Sequence, residues 1–168
     1  VDLIVGPGNK FVTECKRQVL GDVGIDSLAG PSEVLVLADE TANPKFIAID
    51  LLGQAEHDPN AKPILVCTDQ KIIDEAMEIL PKLLETLETK EVASQAWEDN
   101  GQIYLADNIE EAIEISNRIA PEHLEVQVKN EREVAKKLLH YGSMFVGHYA
   151  PVALGDFVSG PNHTLPTM

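Results

Sequence analysis

Two side chains three residues apart, Gln54 and His57, stand near the end of a helical pattern. At that spacing both project from one helix face about a turn apart and can share a metal ion. Imidazole is the commonest zinc ligand and a Gln oxygen an unusual one, so the pair taken alone is more ordinarily read as helix-end surface. Glu122 and His123 are adjacent, and an acid beside an imidazole offers two proton acceptors to one reaction centre. Pro121 predicts an extended Ala120 that ends the preceding helix. The couple is then expected on a loop at the carboxyl-facing rim of the sheet, where ligands of open parallel sheets usually bind.

A third constellation runs from Gly155 through Asp156, Phe157, Val158, Ser159, Gly160, Pro161 and Asn162 to His163. Its glycines allow backbone to pass close to a ligand, and Asp156 offers a cation a hard oxygen donor; the plain alternative is a turn aspartate. Gly6 to Asn9 follows a strand and opens a helix, so its backbone could approach a dinucleotide, although the third glycine of the usual fingerprint is missing. Gly30, Pro31, Ser32 and Glu33 form another turn with a hydroxyl but no matched base. His140 and His148 read as ordinary loop or surface histidines, and Cys15 and Cys67 as two buried thiols without redox or metal spacing.

The elements that must position these residues alternate. Val1 to Val5 leads into a helical pattern through Phe11, Val12, Cys15, Val19 and Leu20. Glu33–Leu37 is short and apolar, as a strand buried on both faces should be, and Asn43 and Pro44 supply the cap and first turn of a helix running to His57. Ile64–Cys67 precedes a helix over Lys71–Leu87; Gln102–Leu105 precedes one over Ile109–Ile119; Leu124–Val128 precedes one over Glu131–Leu139; Met144–Val146 closes the series. From His148 onward no periodic element is expected. Strands separated by helices of this length imply an α/β, doubly wound, mainly parallel sheet with helices on both faces, Rossmann-like.

Length and charge narrow the partners. The 168 residues suffice for one domain or a domain plus part of a second. Thirteen Lys and Arg against twenty-eight Asp and Glu give a formal net charge of -15, which repels nucleic acid and anionic lipid alike. With no long apolar run and no basic, apolar, small-residue order at the start, a cytoplasmic protein is expected.

The segments IVGPGNKFVTECKRQV, AGPSEVLVLAD, DLLGQAEHDP, ISNRIAPEHLEVQ and GDFVSGPNHTLPT, in that order and spacing, resemble the histidinol dehydrogenase family over essentially the whole chain. The resemblance implies a four-electron oxidation of L-histidinol to L-histidine through a bound aldehyde, with two NAD molecules used in succession. It makes Gln54, His57 and Asp156 ligands of one Zn2+ ion that holds the substrate, and Ser32, with those ligands and His123, a substrate-binding residue. Asn9 matches an NAD-contacting position. Glu122 and His123 match the proton-acceptor pair, and His163 is expected to support either that pair or the substrate carboxylate. The resemblance further implies a homodimer, residues 1–29 as the end of an NAD-side domain and residues 30–168 as the domain carrying the zinc and substrate site. The family's fourth zinc ligand, a histidine, and a substrate-binding glutamate have no counterpart in these 168 residues. The fold is therefore expected to be incomplete relative to the full enzyme, and turnover by this chain alone to be low. Rival readings are a related zinc-dependent dehydrogenase of another small amino or sulfonate alcohol, a non-catalytic metal- or partner-binding α/β module, and a nucleotide-binding domain without zinc.

Overall fold

The structure, a computed structural model, describes residues 1–6, 8–28 and 32–157, the last two as backbone. The described residues divide into two compact units, one within residues 1–28 and the other within residues 32–157.

In the first unit β1 (Leu3–Ile4) pairs in parallel with β2 (Gly24–Ile25) around α1 (Lys10–Val19). Asn9 caps α1 by accepting from the amides of Phe11 and Val12, the usual way for a short polar side chain to satisfy a helix start. Gly8 is required there, because a Cβ at that position would lie 2.4 Å from Val12 Cβ. Lys16 Nζ sits 2.6 Å from Asp26 Oδ1, while Asp26 Oδ2 accepts from Gly6 N at 2.8 Å. This ion pair and its amide partners hold the Asp26 carboxyl well below its ordinary range, the Lys16 hydrogen bond contributing most. Cys15, expected to be buried, is exposed. The inward position of α1 belongs to Lys16 instead, whose stem packs while its ammonium meets Asp26.

The second unit is a five-stranded sheet in the order β5-β4-β3-β6-β7, parallel at every pairing. Its strands are β3 (Glu33–Ala38), β4 (Lys62–Cys67), β5 (Gln102–Leu105), β6 (His123–Gln127) and β7 (Ser143–Val146). The helices between them are α2 (Pro44–Ala55), α3 (Gln70–Leu84), α4 (Lys90–Asn100), α5 (Ile109–Ile119) and α6 (Glu131–Ala135), with α7 (Ala153–Phe157) last. The first strand of the unit is central, and the chain winds outward to one side and then the other, which is the doubly wound arrangement expected.

Strand alternation sends successive residues to opposite faces. Val34, Val36, Ala38, Leu65 and Cys67 pack under α2 and α3; Leu35, Leu37, Ile64, Val66, Leu124 and Val126 pack against α5 and α6. Most boundaries fall within two or three residues of the sequence expectation, and α5 coincides with it. Helix α4 was not expected. Its inward face is made of Ala93 and Ala96 against Ala55 and Ala61, so small residues replace the large apolar stripe by which a helix is usually read. A five-residue helix, α7, also occupies part of the stretch expected to lack elements. Edge strand β5 leaves all four of its residues exposed. Among the described residues no helix is long and apolar enough to cross a membrane.

Candidate functional site

Helix α2 starts on the cap and proline read from the sequence, with Asn43 accepting from Lys45 N, and its carboxyl end delivers the first two site residues. Gln54 lies in its last turn. His57 follows the C-cap Glu56, its amide reaching Gln54 O at 3.3 Å. The two therefore do not share one helical face, since the helix has ended between them, yet both line one cavity of about 590 Å³. Val34, Phe46, Ile49, Tyr149, Pro151, Val152 and Ala153 give that cavity an apolar wall, and Asp50, Glu56, Glu125 and His148 join Gln54 and His57 as its polar groups. No lysine or arginine lines it among the described residues.

Gln54 is 6% exposed, and its Nε2 has no hydrogen-bond partner among the described residues. A buried amide atom left unpaired is costly and calls for a partner in the cavity. Since amide O and N are assigned from the surrounding network, the same side chain can turn its oxygen inward. Gln54 beside His57 thus fits a cation with mixed oxygen and nitrogen preference. Among the described residues no three His, Cys, Asp or Glu side chains gather as a metal site. Gln54 is outside that set by type, and the side chain of Asp156 lies outside the described residues. The backbone of Asp156 belongs to α7, whose first residue, Ala153, lines the cavity.

Glu122 and His123 are both 6% exposed. His123 is the first residue of β6, so the couple stands at the amino-terminal edge of the parallel sheet, opposite to the carboxyl rim expected. Ala120, expected to be extended, is left-handed at φ 54 and ψ 59 and closes α5 by donating to Ser116 O. The proline still ends the helix, but the reversal comes from a left-handed C-cap. Glu122 is held on both sides by Glu33: Glu33 N donates to Glu122 Oε2 and Glu122 N to Glu33 Oε1, each at 3.3 Å. His123 Nδ1 lies 3.1 Å from the carbonyl oxygen of Glu33. A carbonyl only accepts, so Nδ1 carries the hydrogen and the basic lone pair of the neutral ring is on Nε2. The Phe145 ring packs at 6.2 Å between centroids.

The acid–imidazole couple does not line the cavity, but strand geometry brings it alongside. Val34 of the cavity wall is the register partner of His123, and Glu125, also in the wall, lies two residues along β6 on the same face. Ser32 sits just before β3, its carbonyl accepting from Lys62 N at 3.2 Å. Asn9 belongs to the first unit, where its side chain caps α1. Gly30, Pro31 and His163 lie outside the described residues.

Two buried polar residues escaped the sequence reading. Glu125 and Gln127 are 1% and 2% exposed. Gln127 Nε2 bridges Asp50 Oδ2 at 2.9 Å and Glu125 Oε2 at 3.2 Å, and Val152 N donates to Glu125 Oε1 at 3.0 Å. Burial, then the neighbouring Asp50 charge, pushes the Glu125 carboxyl up to about 9; burial raises Asp50 as well. The signal was present in His123-Leu124-Glu125-Val126-Gln127. Strands of a covered parallel sheet run apolar on both faces, so a polar residue at every second position of an interior strand marks a face with other work.

The family model for histidinol dehydrogenase matches residues 1–168. The chain is 53% identical over 167 residues to the histidinol dehydrogenase of Gluconobacter oxydans (strain 621H), covering 99% of this chain and 39% of that one. To that of Methanocaldococcus jannaschii it is 52% identical, covering 99% of this chain and 38% of that one. Among solved structures, a crystal structure of histidinol dehydrogenase from Elizabethkingia anophelis superposes with a TM-score of 0.91 at 45% identity, over 99% of this chain and 39% of that one. Gamma-glutamyl phosphate reductase from Thermotoga maritima gives a TM-score of 0.60 at 17% identity over 100% of this chain and 46% of that one, a likeness of fold alone. The chain thus spans about two fifths of the length of these curated relatives, and over that span it belongs to the histidinol dehydrogenase family.

Proposed function

We propose that the chain carries the zinc, substrate and proton-transfer groups of an NAD-dependent oxidation of L-histidinol to L-histidine. The observation that carries this reading is the buried amide of Gln54, whose Nε2 has no partner among the described residues, beside His57 in a cavity whose wall adjoins His123. The lining favours the substrate class. Asp50, Glu56 and Glu125, with no lining lysine or arginine among the described residues, suit a small cationic amino alcohol and disfavour a sulfonate.

Gln54, His57 and Asp156 would hold the Zn2+ ion, which when bound fixes the imidazole and amino groups of the substrate and so supplies orientation. His123 Nε2 would take the alcohol proton as the carbinol carbon gives up a hydride, for which NAD when bound would supply the acceptor. Glu122 would then remove a proton from the water that adds to the resulting aldehyde, and loss from the hydrate of one hydroxyl proton together with a second hydride, for which NAD when bound would supply the acceptor, gives the carboxylic acid. General-base help of this kind is worth about 10²–10⁴-fold in rate per group. Glu33 orients both acceptors: its carbonyl sets the His123 tautomer, and its amide steadies the Glu122 carboxylate.

The same reading places Ser32 against the substrate, Asn9 against NAD, residues 1–29 on the NAD side and residues 30–168 around the zinc site. It also carries a homodimer, a cytoplasmic location and low turnover by these 168 residues alone, since it assigns the fourth zinc ligand elsewhere. Zinc content after equilibrium dialysis, followed by calorimetric titration with histidinol, tests it. The wild-type chain is expected to retain zinc and then bind histidinol, and His57→Ala and Gln54→Ala to lose both. Equal zinc content in all three would overturn the assignment.

A further inference from the structure

Resting on that reading of the cavity, the geometry assigns Asp50 and Glu125 a positioning role. We infer that the two carboxyls hold one proton between them, and that Glu125 uses its remaining oxygen to clip the backbone at Val152, and with it the helix bearing Asp156, to the cavity floor.

Two carboxyls joined through one Gln127 amide, at 2.9 Å from Asp50 Oδ2 and 3.2 Å from Glu125 Oε2, in a largely apolar wall cannot both remain ionised without a cation. The groups facing them from the surrounding elements are Gln127 from β6, Gln54, Glu56 and His57 from the end of α2, and His148 and Tyr149 from the loop after β7. None of these is a permanent cation. A single shared proton resolves the repulsion, and the Gln127 amide fixes the pair by donating to both partners. The upward displacement of both carboxyls is what such sharing produces.

Glu125 is then left with Oε1, and this oxygen accepts from Val152 N at 3.0 Å. Val152 is the junction into α7. Its carbonyl accepts from Gly155 N at 2.8 Å, and that of Pro151 from Leu154 N at 3.0 Å. A five-residue helix is too short to be stable by itself, so its place depends on what anchors its first turn. The anchor is the carboxylate of an interior strand, 1% exposed and two residues from His123. One strand face thus supplies the proton acceptor and fixes the segment that brings Asp156.

Removing a partner that orients a metal ligand typically costs about 10–100-fold in metal affinity. Zinc affinity of the 168-residue chain, measured by chelator competition, is expected to fall by at least ~10-fold in Glu125→Ala. Glu125→Gln, which keeps an acceptor for Val152 N and a donor for Asp50, should restore it to within a few-fold. In an Asp156→Asn background Glu125→Ala should add no further loss, because the effect passes through Asp156. Wild-type affinity in Glu125→Ala, failure of Glu125→Gln to rescue, or losses that simply add with Asp156→Asn would each overturn the inference. Where Glu125→Ala does not fold, Val152→Pro removes the donor and must weaken zinc more than Val152→Ala, which keeps it; equal affinity in the two refutes the clip. If the wild-type chain binds no zinc, the zinc reading fails, and the clip is judged separately by hydrogen exchange. The Val152 amide should exchange faster in Glu125→Ala than in wild type, and equal rates would sink it.

Discussion

Replacing Glu125 with glutamine removes a titrating group from the cavity floor and leaves its shape nearly unchanged. In the folded chain this carboxyl is raised from 4.5 to about 9, by burial first and by Asp50 second. Between those values the native state holds a proton that the unfolded chain has released. The stability associated with Glu125 is therefore fully present below about 4.5 and is lost as pH rises through about 9. One proton of difference corresponds to a slope of about 1.4 kcal/mol per pH unit. From about pH 6 to about pH 8 the wild-type chain should lose ~3 kcal/mol through this group. Glutamine does not titrate, so Glu125→Gln should lack that part of the slope, while charges other than Asp50, which shares the proton, act alike in both proteins. Urea unfolding at several pH values, without metal, gives the two slopes directly. Parallel stability curves would show that Glu125 is ionised in the folded chain, and the shared-proton argument would be wrong.

Two further substitutions test the frame around the site. Leu124→Ala empties a fully buried position in β6 and should cost about 2–5 kcal/mol in denaturant unfolding, through lost burial and the cavity left behind. Asp69 caps α3 by accepting from Lys71 N at 2.8 Å and Ile72 N at 3.1 Å. Asp69→Ala should lower stability by about 1 kcal/mol by the same measurement, with Asp69→Asn recovering most of it.

How far the sequence exposed these features follows from what each element needed. The unbroken apolar run of β3 and the Asn43-Pro44 start of α2 are local signals, and the structure places both elements accordingly. Helix α4 was hidden because its packing face is alanine, and Cys15 was misplaced because a lysine takes the inward position on α1. The acid–imidazole couple is legible as adjacent residues, but it lies at the amino-terminal edge of the sheet rather than at the carboxyl rim expected. The general tendency of ligands to seek strand carboxyl ends does not place a residue that begins a strand, as His123 does. Gln54 and His57 were visible through their spacing and the family words around them, yet their common cavity depends on the loop after β7, about ninety residues later. The Asp50–Glu125 pair could not be read from either segment alone. It exists only where α2 crosses β6, and buried carboxyls look like ordinary surface acids until the fold covers them.

The position of the site at the beginnings of the strands also sets its polarity. In a parallel α/β sheet each connecting helix runs back against its strands, so helix carboxyl ends arrive where strands start. Unsatisfied carbonyls there carry about half a negative charge per helix and favour a nearby cation by roughly 0.3–1 kcal/mol. Helix α2 ends at Gln54 and Ala55 with no basic residue in its last turn, leaving its macrodipole uncompensated by its own side chains. Helix α5, ending just before Glu122 and His123, places Arg118 in its last turn. A phosphate would find helix amino ends, and their donors, at the other edge. Chain direction by itself therefore inclines this rim toward a metal ion or an ammonium head, before any single side chain is chosen.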